Sequence, residues 1–89
     1  MLVCKRVYYS GHVQGVGFRY TAQALAKNFA VSGYVRNLRD GRVELVAEGE
    51  PGEVDAFLTA VADRMGPYID HTRVEEIEPG GHQGFRIRY

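Results

Sequence analysis

The sequence predicts an α+β fold in which two helices cover one face of an antiparallel sheet. Three observations predict it. Two segments carry apolar residues at helical spacing, each forming a single stripe that needs one sheet face to bury it. Between and around them lie short runs of β-branched and aromatic residues, punctuated by glycine and proline. The segments follow the order β-α-β-β-α-β, with one short strand added at the C-terminal end.

The first strand is predicted over Val3 to Ser10, a β-branched and aromatic run interrupted by Lys5 and Arg6. A helix starts near Phe18, because Phe18, Ala22, Leu25, Ala26 and Phe29 fall on one helical stripe. Gly33 opens a second strand, Tyr34 to Leu38, and Asp40-Gly41 is a hairpin signal. The third strand, Arg42 to Glu48, alternates, with Val43, Leu45 and Ala47 on one face. Glu50-Pro51-Gly52-Glu53 starts the second helix, with proline in the first turn and acids at the positive end of the dipole. Val54, Phe57, Leu58, Val61 and Met65 form its core stripe, and Gly66-Pro67 stops it. Two short strands close the chain, roughly Arg73 to Glu78 and Phe85 to Tyr89, divided by Pro79-Gly80-Gly81. In the last, Phe85, Ile87 and Tyr89 share one face while Arg86 and Arg88 share the other. The whole is a ferredoxin-like βαββαβ sandwich, read as a single domain over residues 1–89.

Composition removes several functions. Eleven basic residues balance eleven acidic ones, so no long-range field favours nucleic acid or an anionic membrane. The single cysteine, Cys4, excludes an internal disulfide and a multi-cysteine metal site, and is read as a small unreactive residue in the first strand. His71 and His82 lack ligand-like spacing, so solvated or structural roles are expected of them. The opening apolar run is too short for a signal peptide, and no segment suits a bilayer span. A soluble, cytoplasmic monomer is expected, with no cofactor and no metal. An RNA-binding sheet is a rival on this fold, but the third strand carries no aromatic residue for stacking bases.

The stretch Gly11-His-Val-Gln-Gly-Val-Gly-Phe-Arg19 carries the chemistry. Its three glycines, placed between a strand and a helix, let successive N–H groups point into one concavity. The helix N-terminus and the Arg19 guanidinium add positive charge to it, which suits a small oxyanion, phosphate above all. No Gly-Lys-Ser/Thr follows, so this is not a nucleotide-binding P-loop. Topology adds a second residue. The first and second strands run in the same direction on either side of the third, about 9.6 Å apart. The loop after the first and the hairpin after the second therefore leave the sheet at the same end. Asn37 shares its face with Val35 by alternation, so it either caps the strand before the hairpin or, if Val35 faces the helices, aims its amide at the same site. Arg36, Arg39 and Arg42 cluster at the hairpin, where a solvated edge or steering of an anion are the two readings.

Ser10-Gly-His-Val-Gln-Gly-Val-Gly-Phe-Arg-Tyr20, then Gly33-Tyr-Val-Arg-Asn37 and Asp40-Gly-Arg-Val-Glu44, together resemble the acylphosphatase family. The resemblance runs through nearly the whole chain to Phe85-Arg-Ile-Arg-Tyr89. It implies hydrolysis of the carboxyl-phosphate anhydride of a small acyl phosphate. Arg19 then corresponds to the family's phosphate-binding catalytic arginine, and Asn37 to the asparagine that orients the attacking water. Phosphate, or sulfate in its place, would sit on Val13, Gln14, Gly15, Val16, Gly17, Phe18 and Arg19. His12 departs from the pattern, standing where many members carry Arg or Lys; histidine is mostly neutral at pH 7. A domain that binds a small anion without hydrolysing it is the alternative.

Overall fold

The computed structural model describes all residues, Met1–Tyr89. The elements run β1 (Val3–Gly11), α1 (Phe18–Ala26), β2 (Val31–Asn37), β3 (Val43–Gly49), α2 (Pro51–Met65), a short 3₁₀ turn (Gly66–Tyr68), β4 (Ile69–Ile77) and β5 (Phe85–Arg88). The sheet order is β4-β1-β3-β2-β5. As the topology argument requires, β3 lies between β1 and β2 and is antiparallel to both. No helix is long and apolar enough to cross a membrane.

The core lies between the sheet and the two helices. Phe18, Ala22 and Ala26 of α1 are buried there with Val54, Phe57, Val61 and Met65 of α2, against Val7, Tyr9, Val35, Val43, Leu45 and Ala47 of the strands. Leu25, Phe29 and Leu58, the remaining members of the predicted stripes, pack on the margin of this cluster. The rings of Phe29 and Phe85 lie 5.9 and 5.2 Å from that of Phe57, so one fully buried side chain ties a turn and an edge strand to α2.

Three features differ from the sequence-based expectation. The second strand begins at Val31, not beyond Gly33, which sits inside it with φ +144°. A Cβ at Gly33 would meet the Val46 carbonyl oxygen at 1.9 Å, so this glycine permits a close approach of β2 to β3. The fourth strand begins at Ile69 rather than Arg73, directly after the 3₁₀ turn. It is an outer strand whose Asp70, His71, Thr72, Arg73 and Val74 are all exposed, so no apolar alternation marks its start. The sheet is not wholly antiparallel, since β5 pairs in parallel with β2. That pairing also covers the edge of the second strand, which the sequence alone leaves open.

All seven residues of β3 are buried. Val43, Leu45 and Ala47 face the helices, which leaves Glu44, Val46 and Glu48 buried on the opposite face. Glu44 accepts from the Tyr34 hydroxyl at 2.9 Å and from Arg36 Nε at 2.7 Å. Glu48 accepts from the Gly80 N–H at 2.6 Å. The segment between β4 and β5 thus lies as a strap across part of the sheet's second face.

Candidate active site

The loop between β1 and α1 leaves the sheet through an irregularity between Ser10 and Gly11 in the β1–β4 pairing. Two bonds fix its path. The His12 N–H donates to the Tyr68 carbonyl at 2.9 Å, tying the loop to the turn before β4. On the other side, the Gln14 side-chain amide donates to the carbonyls of Leu38 and Arg42 at 2.7 and 3.0 Å, tying it to the β2–β3 hairpin. The loop is thereby held over the end of β3, as the spacing of β1 and β2 demands.

Gly15 and Gly17 take φ values of +80° and +78°, with no heavy atom beyond the adjacent residues within 4 Å of where a Cβ would stand at either. Their role is backbone direction and not close packing. Gly17 is the N-cap of α1 and offers no side chain to the first turn. The N–H groups of that turn remain available for an anion. Phe18 anchors the helix start, buried with its ring 4.9 Å from Tyr9.

A small cleft of about 120 Å³ forms here, lined by Val13, Gly15, Gly17, Phe18, Arg19, Tyr20 and Asn37. Five of the seven predicted phosphate-binding residues therefore line one cavity together with Asn37. Gln14 and Val16 do not line it. Gln14 spends its side chain on the hairpin carbonyls, and Val16 packs on the core. Wider grooves of about 260 and 360 Å³ exist, but their linings share no residue with this cleft. Asn37 is the last residue of β2, two beyond the fully buried Val35, and is half-buried.

Arg19 is half-buried, with its guanidinium carbon 4.9 Å from the centroid of the Tyr89 ring. That stacking limits where the planar fork can turn. A hydrogen bond with Tyr20 is the main cause that pushes the Tyr89 hydroxyl above its ordinary pKa. In the sequence, Tyr89 signals only the inner face of the last strand, and nothing there places it over Arg19. The hairpin arginines are mostly engaged elsewhere: Arg36 with Glu44 at 2.7 Å, and Arg42 with Asp40 at 2.9 Å. His12 is exposed and does not line the cleft.

The comparisons with known proteins bear on this geometry. The acylphosphatase family model matches residues 5–87. The chain belongs to the acylphosphatase family. An acylphosphatase of Archaeoglobus fulgidus is 40% identical, over 99% of this chain and 100% of the relative. One of Acaryochloris marina is 49% identical, over 97% of this chain and 94% of the relative. The crystal structure of acylphosphatase from Bacillus subtilis superposes with a TM-score of 0.88 at 37% identity, each chain covered in full. The ferredoxin-like α+β architecture is thus that of the acylphosphatases, and the cleft lies on the motifs through which the sequence resembles them.

Proposed function

We propose that this chain hydrolyses small acyl phosphates to a carboxylate and inorganic phosphate. The observation that carries the reading is the single cleft in which Gly15, Gly17, Arg19 and Asn37 meet. An acyl phosphate is a mixed anhydride whose leaving group is a weakly basic carboxylate, so no general acid is needed. The phosphoryl oxygens sit on the loop N–H groups, the first turn of α1 and the Arg19 fork, which spread the charge that grows in the transition state. The Asn37 amide both accepts and donates, and holds one water in line with the bond to be broken. As the water oxygen bonds to phosphorus, the bond from phosphorus to the carboxylate oxygen breaks. The carboxylate leaves with that electron pair, and the water protons end on the phosphate product. Positioning and electrostatics suffice for such a transfer.

We read the chain as a monomer of one domain. The outer strand β4 carries Asp70, Arg73, Glu75 and Glu76, charges that oppose edge-to-edge pairing. A reducing cytoplasm suits the buried free thiol of Cys4. The test is turnover of an aryl acyl phosphate in chelator-treated buffer. Arg19→Ala and Asn37→Ala should each lower kcat by at least about 10²-fold, the usual loss on removing one charge-stabilising donor. Inorganic phosphate should raise the melting temperature of the parent but not of Arg19→Ala. Hydrolysis no faster than in buffer, with the phosphate shift intact, would leave the non-catalytic anion-binding alternative.

A further inference from the structure

The sheet face turned away from the helices holds a second cluster, remote from the cleft. Cys4 and Glu48 are direct cross-strand partners on β1 and β3, and are 0% and 4% exposed. The strap between β4 and β5 crosses them and brings down the half-buried His82. A sulfur of Cys4, a carboxylate oxygen of Glu48 and a ring nitrogen of His82 all lie within 4.8 Å of one another. We propose that these three residues form a site for a divalent cation of the zinc class, with water as the fourth ligand.

Four observations carry the assignment. Thiolate, imidazole and carboxylate are the donors that a borderline-soft ion such as Zn²⁺ takes, and three protein ligands with one open position is a regular zinc arrangement. Ligands in a tetrahedral zinc site stand about 3.5 Å apart, given bonds of about 2.0–2.3 Å. The cluster needs to contract by at most about 1.3 Å, and the glycine-rich strap carrying His82 can supply that movement. Glu48 is buried without a counter-cation: none of the chain's ion pairs reaches it, whereas Glu44 on the same face has Arg36. The groups that face it are neutral donors, the Gly80 N–H and the Cys4 thiol. Finally, an outer shell is in place. The Gly80 N–H holds Glu48 Oε1 at 2.6 Å, and the Tyr34 ring flanks that of His82 at 5.9 Å. A Cβ at Gly80 would approach His82 Nε2 to 3.1 Å, so glycine leaves room for the imidazole.

Binding exchanges the thiol proton for the metal and releases one proton to solvent. The consequence is mechanical. The strap leads into β5, with Gly33 N–H bonded to the Gly84 carbonyl at 2.9 Å, so a metal would pin the last strand to the sheet.

The test titrates the chelator-treated protein with Co²⁺. The expected result is a thiolate-to-cobalt charge-transfer absorption that saturates at one equivalent and is displaced by Zn²⁺. His82→Ala, on the strap and outside the core, should weaken Co²⁺ by at least about tenfold, the least that even an outer-shell loss costs. Zn²⁺ should raise the melting temperature of the parent by several degrees and that of His82→Ala by less at the same concentration. Cys4→Ser should lose the charge-transfer absorption; should it fail to fold, His82→Ala decides alone. No such absorption in excess Co²⁺, or the same affinity in His82→Ala, overturns the site.

Discussion

Replacing Gly33 by alanine should be the most damaging single-methyl change in this chain. The added Cβ would stand 1.9 Å from the Val46 carbonyl oxygen and 2.8 Å from its carbon. Ordinary contact begins near 3.4 Å, so the oxygen is about 1.5 Å too close. Val46 belongs to the central strand, where its neighbours Leu45 and Ala47 are locked into pairing with both β1 and β2. The obstacle is therefore backbone that cannot retreat without breaking a ladder. Forcing an extra methyl into packed surroundings costs roughly 1–3 kcal/mol. A side chain at φ +144° adds backbone strain of about 1–2 kcal/mol. The expected loss is about 2–5 kcal/mol, a large share of the roughly 5–15 kcal/mol that holds such a domain together. At about 4–8 °C per kcal/mol for a domain of this size, the melting temperature should fall by at least about 8 °C. Gly17→Ala is the control, since its φ is +78° but nothing lies within 4 Å of the new atom. It should lose only the strain, about 1–2 kcal/mol. Thermal unfolding followed by circular dichroism reads both. Gly33→Ala melting within about 2 °C of the parent, or no lower than Gly17→Ala, would refute the close approach of β2 to β3.

Two further perturbations probe the polar framework. Gln14→Ala removes the amide that donates to Leu38 and Arg42 at 2.7 and 3.0 Å, so the loop loses its tie to the hairpin carrying Asn37. It should lower kcat/KM for acyl phosphate by roughly tenfold or more; an unaltered kcat/KM would make the tie dispensable. Burial pushes the pKa of Glu44 up, but bonds from Tyr34 and Arg36 outweigh it and leave the group below its ordinary 4.5. Its folded pKa is thus lower than its unfolded one, so its ion pairing stabilises the fold above about pH 4.5 and is lost as pH falls through the folded value. Urea midpoints should therefore drop less steeply on acidification in Glu44→Gln than in the parent, and equal slopes would contradict that assignment.

The core-facing elements are legible in the sequence because they obey one period each. The stripes of Phe18-Ala22-Ala26 and Val54-Phe57-Val61-Met65 name the helix faces that are buried, and Val43-Leu45-Ala47 names the inner face of β3. The place of Asn37 at the end of the sheet where the loop emerges is legible from topology, while its choice over a strand cap comes from the family resemblance. What cannot be read depends on partners far along the chain. The start of β4 is polar because nothing covers it, so it carries no pattern. Gly33 looks like a turn residue until the Val46 carbonyl is placed against it. Gln14 looks like a loop amide until the hairpin carbonyls come within reach of its side chain. Cys4, Glu48 and His82 have no spacing in common and meet only because strand pairing and the strap bring them together.

In the proposed reaction water attacks phosphorus, in a cradle formed by the loop and Arg19, on a line set by Asn37. The most direct measurement is hydrolysis of an acyl phosphate in water enriched with heavy oxygen, followed by mass spectrometry of both products. Attack at phosphorus puts the label in inorganic phosphate and leaves the carboxylate unlabelled. Label in the carboxylate would mean attack at the acyl carbon, and Arg19 and Asn37 could then have neither the charge-stabilising nor the water-orienting role.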